Sequence, residues 1–218
     1  AILDNGSAVA WGSNDYYQLG TRTTHIGDGS GEMGNALAPI NWGIGLTAKK
    51  FIAGRDRGSC AILSNDTLKC WGINGYNSIN WGRLGKGTTG SHGNAWDALS
   101  DKYSPINIGT GLKVKEASTS THTCTVTTDE RLKCFGWNYD GRLGLEDQIT
   151  RGDNPGEMGD SLPFVDLGLT AGAGPASFII SGVTGGSDAT ADSLLGHTEP
   201  TIQWSASTGA VDYLVTIV

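Results

Sequence analysis

Short runs of β-branched or alternating apolar residues, separated by clusters of Gly, Asn, Asp and Ser, follow one another along most of the chain. Such runs are typical of β-strands, and none keeps the 3.6-residue period of a helix. Asn5-Gly6, Asn65-Asp66 and Asp129-Glu130 each lie between two runs, where residues that tolerate a positive φ favour a tight hairpin turn. The pattern predicts an all-β chain rich in hairpins.

One pattern of residues occurs three times. The copies are residues 1–20 (AILDNGSAVAWGSNDYYQLG), 60–72 (CAILSNDTLKCWG) and 124–136 (CTVTTDERLKCFG). The aromatic residue before the glycine stands at Trp11, Trp71 and Phe135, at spacings of 60 and 64 residues. Each repeat continues to a Leu-Gly pair and then to a Pro-led apolar run, at residues 39–43, 105–109 and 163–168. Four strands in a period of about 62 residues predict one β-propeller blade per repeat.

The third copy carries a resemblance to a known family. Residues 122–126 (HTCTV), 134–138 (CFGWN) and 141–144 (GRLG) resemble the regulator of chromosome condensation repeat, although Tyr17 stands where that family has glycine and residues 75–81 are inserted. The resemblance covers residues 1–174 and implies a β-propeller, usually of seven blades. Because such propellers serve as exchange factors, photoreceptors, enzyme inhibitors and surface modules, it implies no single function.

The composition changes near residue 174. Residues 175–218 contain no Lys, Arg or Cys, and their alternating runs are similar to the first strands of a fibronectin type III-like sandwich. Such a sandwich needs about 90–100 residues. We therefore predict two domains. They are residues 1–174, with about 2.8 propeller units of roughly 62 residues, and residues 175–218, an incomplete sandwich-like segment.

Composition narrows the possible partners. The chain has 218 residues with 34 glycines, and the glycines have no collagen period, so they are expected in turns. A net charge of −7 and a pI near 4.9 disfavour nucleic acid, whose binding depends on Lys and Arg. No apolar run approaches the roughly 18 residues that cross a bilayer. We expect no nucleic-acid partner and no membrane span.

The four cysteines form two pairs with the same spacing of ten residues, at the open ends of two predicted hairpins. Facing strand positions bring Cα atoms to about 5 Å, which suits a disulfide. We predict Cys60–Cys70 and Cys124–Cys134 bridges, with buried reduced thiols as the alternative; a zinc site fits this spacing less well. Bridges would indicate an extracellular or cell-surface location.

Four motifs suggest chemistry but are better explained as loops. Residues 29–34 match G-x-G-x-x-G without the strand and helix that a dinucleotide site needs, and residues 151–153 spell Arg-Gly-Asp. The acidic loops at residues 27–32 and 152–157 lack the spacing of a calcium-binding loop. With no catalytic histidine pair or nucleophile motif, we predict no catalytic, cofactor or metal residues, and no enzyme.

Aromatic residues in the connecting segments are the candidate binding surface. The insertion at residues 75–81 adds Tyr76 and Trp81, and Trp96, Trp137 and Tyr139 lie in similar stretches. Exposed Trp and Tyr commonly anchor recognition surfaces, although packing between blades is the alternative for any one of them.

The sequence favours a non-enzymatic binding or adhesion module of a larger secreted or cell-surface protein, with a protein or glycan ligand. The alternative is an inhibitor of a secreted enzyme such as a β-lactamase. An exchange factor for a small GTPase is less favoured, because paired cysteines suit a reducing compartment poorly. Since propellers usually close with four to eight blades, we expect more chain or additional copies to complete the ring.

Overall fold

The computed structural model describes residues 1–21, 25–54, 57–76, 79–90, 99–101 and 103–168, together with residues 201–202 and 215–216. The chain divides into two compact units, Ala1–Gly168 and Leu169–Val218. Its strands are β1 (Ala48–Ala53), β2 (Gly58–Leu63), β3 (Leu68–Gly72), β4 (Gly75–Tyr76), β5 (Ile79–Asn80), β6 (Val114–Thr119), β7 (His122–Thr127), β8 (Leu132–Gly136), β9 (Thr201–Ile202) and β10 (Val215–Thr216). Two short 3-10 helices, Gly34–Ala36 and Gly159–Ser161, are the helices of the described residues, so the all-β prediction is confirmed.

Two antiparallel sheets of three strands form the centre of the first unit, in the orders β1-β2-β3 and β6-β7-β8. The hairpins turn at the predicted sites, where Gly6, Asp66 and Glu130 have φ values of 79°, 64° and 63°. In the first repeat the corresponding hairpin forms no full strands: Ile2 pairs with Ala8, the Leu3 amide donates to the Ser7 carbonyl oxygen, and the Val9 amide donates to the Ala1 carbonyl oxygen.

The Pro-led run of each repeat is predicted as a fourth strand, and in the structure it is an extended segment. Each run donates one backbone hydrogen bond to the last strand of its own repeat: Ile40 to Ala8, Ile106 to Leu68, and Val165 to Leu132, at 2.7–2.8 Å. The leading proline has no N–H, and each run ends at a glycine with positive φ, so a longer ladder does not form.

The hydrophobic core lies between consecutive repeats. Trp42, Phe51 and Trp71 meet edge to face between the first repeat and the first sheet, with centroids of Trp42 and Trp71 at 5.4 Å. A second cluster, which includes Ile62, Leu84 and Phe135, joins the two sheets. The first repeat is therefore covered by the second, and the second by the third, as neighbouring propeller blades are.

Both predicted cysteine pairs are disulfides. Cys60 faces Cys70 across β2 and β3, and Cys124 faces Cys134 across β7 and β8, with Cα–Cα distances of 4.0 and 4.1 Å. In the second unit β9 pairs antiparallel with β10. The rest of the predicted sandwich-like segment lies outside the described residues. No helix in the described part of the chain is long and apolar enough to cross a membrane.

Candidate binding surface

Three of the five predicted surface aromatics form one stack. The rings of Trp81 and Trp137 are stacked, with centroids 6.4 Å apart and planes 23° apart. Tyr139 stacks on Trp137 in turn, at 5.7 Å and 27°. Trp81 and Trp137 are partly buried, whereas Tyr139 is 65% exposed. We call Trp81, Trp137 and Tyr139 the aromatic stack; its outer end presents one tyrosine ring to solvent.

The sequence around β8 explains why Trp137 and Tyr139 point the same way. Asn138 between them is fully buried, and its side-chain amide donates to the carbonyl oxygen of Asp147 at 3.0 Å and accepts from the Leu143 amide at 2.9 Å. Asn138 opens a turn that the Gly141 amide closes on the Asn138 carbonyl oxygen at 3.1 Å, and its side chain points inward while the ring on either side of it is at least partly exposed. Gly136 precedes them at φ 116°, where a Cβ would lie 2.5 Å from the Cα of His122.

Trp81 comes from the preceding repeat and is held by the inserted hairpin. β4 pairs with β5 inside the insertion, and the Trp81 amide donates to the Asn74 carbonyl oxygen at 3.0 Å. Asn74 itself is fully buried. The insertion is thus a separate small hairpin whose end carries one ring of the stack.

Two arginines support the rings. The Arg83 guanidinium carbon lies 5.2 Å from the Trp81 ring centroid, and that of Arg142 lies 4.5 Å from Trp137. Arg83 is buried and donates to the carbonyl oxygens of Ile73, at 2.6 Å, and Ser120. Cations over indole faces are favourable, by about 0.5–2 kcal/mol depending on desolvation. The arginines fix the rings in place.

His122, next to the aromatic stack, is uncharged at neutral pH because of its burial and the nearby Arg142. Arg142 donates to the Thr121 hydroxyl at 3.0 Å and forms an ion pair with Asp140. Burial lowers the pKa of neighbouring His122, and the Arg142 charge lowers it further. The uncharged imidazole therefore adds no charge to the surface at neutral pH.

The remaining predicted surface residues are not placed in the stack. Only the backbone of Tyr76 is described, in β4. Trp96 lies outside the described residues.

Several structural roles were not predicted from sequence. Asn14, Asn74 and Asn138 are buried at equivalent positions, and each accepts a hydrogen bond from the leucine amide of a Leu-Gly pair. Their repetition after Trp-Gly or Phe-Gly was the available signal. We define the Leu-Gly turns as residues 17–20, 82–85 and 141–144, each closed by a hydrogen bond between its first and last residues.

The burial of two lysines, Lys69 and Lys133, was also not predicted from the sequence. The Lys69 ammonium donates to the carbonyl oxygens of Trp42, Leu99 and Ser100 at 2.6–2.9 Å. Lys133, at the equivalent position, donates to Ile108 and Gly159. Burial lowers the pKa of both amines. These lysines tie the long connections to the sheets, which is a structural role.

The acidic loops bind their own backbone. Glu32 accepts amide hydrogens from Gly27 and Gly29 at 2.7 and 2.8 Å, and Glu157 accepts the equivalent pair from Gly152 and Asn154. Within the described residues no His, Cys, Asp or Glu cluster could hold a metal ion.

The Arg-Gly-Asp tripeptide is built into the fold. Arg151 is paired with Asp147 at 2.8 Å, and Gly152 is buried. Gly87 donates its amide hydrogen to the Gly152 carbonyl oxygen at 2.9 Å. The tripeptide is therefore a packing element between the second and third repeats.

A cleft of about 410 Å³ lies between the first repeat and the first sheet. Its walls include Val9, Trp11, Phe51, Ala53 and Arg57. The volume falls in the range of small-molecule sites. The guanidinium carbon of Arg57 also lies 4.5 Å from the centroid of the Tyr16 ring.

Among solved structures, this chain is similar to an RCC1-type propeller, while no family model matches the chain. Yeast RCC1 (Prp20) bound to Kap60 is 14% identical, with a TM-score of 0.51 over 79% of this chain and 35% of that chain. Prp20p from Saccharomyces cerevisiae, described with its binding to Gsp1p and histones, is 14% identical, with a TM-score of 0.52 over 79% and 36%. Human WBSCR16 is 17% identical, covering 73% and 39%, with a TM-score of 0.48.

The match confirms the predicted fold and no more. At 14% identity the likeness concerns the arrangement of strands, and the chain spans about a third of the length of yeast Prp20 in both structures. The described residues are all-β, and those of the first unit have the fold of part of an RCC1-like β-propeller.

Proposed function

We propose that this chain is a non-enzymatic binding module of an extracellular or cell-surface protein, and that it recognises a protein or glycan ligand through the aromatic stack. The observation that carries the proposal is the stack itself. It joins two repeats, and its outermost ring, Tyr139, is exposed.

The stack has the physical properties of a binding surface. Tyrosine and tryptophan combine a large apolar face with a polar group, which suits both protein side chains and sugar rings. Because Arg83 and Arg142 already hold the rings, a ligand meets a surface whose side chains lose little further freedom on binding. The stack is built on a hairpin insertion that the other repeats lack.

Two further observations support the proposed location and the proposed class of ligand. The two disulfides are typical of proteins from oxidising compartments. The structural neighbour Prp20 is described with protein partners, namely Kap60, Gsp1p and histones, and this favours a protein ligand over a glycan.

A binding survey with matched variants tests the proposal. The oxidised chain is applied to a glycan array, to cell-surface extracts and to a panel of purified proteins that contains secreted enzymes, β-lactamases among them, and small GTPases. Tyr139→Ala and Trp137→Ala remove rings of the stack. Ile44→Ala is the control, because Ile44 is 90% exposed and belongs to no part of the stack.

We expect one class of ligand to bind, and both stack variants to bind it at least about tenfold more weakly than Ile44→Ala does. Equal binding by all variants would overturn the proposal, as would no binding to any probe. Inhibition of a bound enzyme would identify the inhibitor alternative, and stimulated nucleotide release would identify an exchange factor; either result would replace the adhesion role.

A further inference from the structure

Two of the three hairpin turns carry Asn-x-Ser/Thr, the acceptor sequence for N-linked glycosylation. They are Asn5-Gly6-Ser7 in the first repeat and Asn65-Asp66-Thr67 in the second, and no other asparagine of the chain stands in this sequence. The third repeat has Asp129-Glu130-Arg131 at the same place. Because asparagine is also typical of a turn, the structure has to separate the two roles.

The turn needs the side-chain oxygen of the asparagine but no hydroxyl residue after it. Oδ1 of Asn65 accepts the backbone amide hydrogen of Thr67 at 3.2 Å. Oδ1 of Asn41 accepts the equivalent hydrogen from Gly43 at 3.0 Å, so a glycine is enough for this bond. The Thr67 hydroxyl also donates to Oδ1 of Asn65, at 2.7 Å. The hydroxyl is therefore an addition that the acceptor sequence requires and the turn does not.

The amide nitrogens of Asn5 and Asn65 are free to react. Both residues are exposed, and within the part of the chain that the structure describes, Nδ2 of neither one has a hydrogen-bond partner. Asn14, Asn74 and Asn138 are buried by contrast. The repeat of Asn65 lies between two other described repeats, so its exposure does not depend on where the chain begins or ends.

The Asn65 turn lies at the opposite end of its hairpin from the aromatic stack. It joins Leu63 to Leu68, whereas the insertion that carries Trp81 follows the other end of β3, at Gly72. Four residues of extended strand, about 13 Å, separate the two ends of β3. A sugar on the turn therefore leaves the aromatic stack open to a ligand.

We propose that Asn65, and Asn5 in the equivalent turn, are acceptors for N-linked glycans. The proposal rests on the extracellular or cell-surface location given under the proposed function. The substrate is an oligosaccharide activated as a lipid-linked pyrophosphate. Transfer forms a bond between Nδ2 and the anomeric carbon of the sugar. The bond from that carbon to the pyrophosphate oxygen breaks, the lipid pyrophosphate leaves with the electron pair, and Nδ2 gives up one proton.

Secretion of the full 218-residue chain from cultured mammalian cells tests the proposal. The purified protein is treated with an amidase that releases N-linked glycans and converts each glycosylated asparagine to aspartate. Peptide mass measurement then locates the converted positions. Conversion is expected at Asn5 and Asn65 and not at Asn41. An unconverted asparagine at either of the first two positions, or equal conversion in a sample without the amidase, would overturn the assignment of that position.

Two substitutions of Thr67 separate the acceptor from a turn residue. Thr67→Ser keeps the hydroxyl and is expected to keep the glycan on Asn65, whereas Thr67→Ala keeps the asparagine and is expected to lose that glycan. A glycan that persists in Thr67→Ala would overturn the proposal. Near-ultraviolet circular dichroism checks that both variants are folded.

The two proposals fail in different ways. A secreted chain without glycans that still binds its ligand through the aromatic stack would overturn the glycan sites alone. A chain with both glycans that binds no probe of the survey would overturn the proposed function alone.

Discussion

The indole nitrogen of Trp71 donates a hydrogen bond of 3.0 Å to the carbonyl oxygen of Gln18, 53 residues earlier in the chain. The Ser59 hydroxyl donates to the same oxygen at 2.8 Å. In the next pair of repeats the equivalent ring is Phe135, which has no N–H, and the Thr123 hydroxyl donates to the Arg83 carbonyl oxygen at 2.9 Å. The Leu-Gly turns of the first and second repeats are thus each tied to the sheet that follows.

This relationship predicts a graded loss of stability at Trp71. Trp71→Phe keeps the ring packing that Phe135 shows and loses one donor, so we expect the free energy of unfolding to fall by about 1 kcal/mol. Trp71→Ala also empties the core and is expected to cost about 3–5 kcal/mol. Urea denaturation of both variants measures the difference, and equal losses would contradict the assignment of the ring to the core.

Substitution of Tyr17 is expected to raise the free energy of unfolding, in contrast to the Trp71 substitutions. Tyr17 has φ 62°, whereas the equivalent positions are Gly82 at 62° and Gly141 at 71°. A left-handed conformation costs a bulky L-residue about 1–2 kcal/mol, and glycine relieves it at some cost in chain entropy. We expect Tyr17→Gly to stabilise the protein by up to about 1 kcal/mol, as measured by urea denaturation.

The reverse substitution is the control. Gly82→Tyr is expected to destabilise strongly, since a Cβ on Gly82 would lie 2.7 Å from the carbonyl oxygen of Arg151. Destabilisation by Tyr17→Gly would show that the tyrosine contacts outweigh the backbone strain.

The sequence predicts the parts of the fold that depend on residues close together in the chain. Asn65-Asp66 and Asp129-Glu130 predict hairpin turns because such residues tolerate positive φ, and the structure has turns there. The spacing of the cysteines predicts both disulfides. The burial of Lys69 could not be predicted from the sequence, because lysine is almost always exposed unless it has partners. Its partners here are carbonyl oxygens of Trp42 and Leu99, which are distant in the chain.

The aromatic stack was half predictable. Trp137 and Tyr139 alternate around an asparagine, and their placement on the surface follows from residues that are close in sequence. Their meeting with Trp81 depends on how two repeats pack across 56 residues, which no local pattern specifies. The buried role of Asn138 was hidden for a similar reason, because asparagine is equally typical of an exposed turn.

The two disulfides are predicted to differ in their rate of reduction. Cys60 and Cys70 are fully buried between the sheets, whereas Cys124 lies on the half-exposed side of β7. We expect mild reductant followed by alkylation and peptide mass measurement to label Cys124 and Cys134 first. Replacing Cys60 and Cys70 together by alanine is expected to cost about 3 kcal/mol. Faster labelling of Cys60 and Cys70 would contradict the burial of that pair.

Asp160 gives a prediction about pH. Its carboxylate accepts the hydroxyl and the amide hydrogen of Thr110, both at 2.7 Å, and these bonds hold the pKa of Asp160 below its usual range. A carboxylate whose pKa is lowered on folding stabilises the fold above its unfolded pKa of about 4, and that contribution is lost as pH falls through the folded pKa.

Asp160→Asn tests the sign. The variant is expected to be less stable than the unsubstituted protein at about pH 7, and the difference is expected to be smaller near pH 2, because the contribution of the carboxylate is lost as pH falls through its lowered pKa. Urea denaturation at the two pH values measures it. A difference of the same size at both would assign the effect to packing rather than to the charge.

The stack of Trp81 on Trp137 carries the proposed function, and circular dichroism measures it directly. Two coupled indoles give a paired positive and negative band that needs both rings, so Trp81→Phe and Trp137→Phe are each expected to remove the same band from the spectrum, while Trp11→Phe leaves it unchanged. Two different losses, or no loss in either variant, would show that the rings do not stack and would contradict the proposed binding surface.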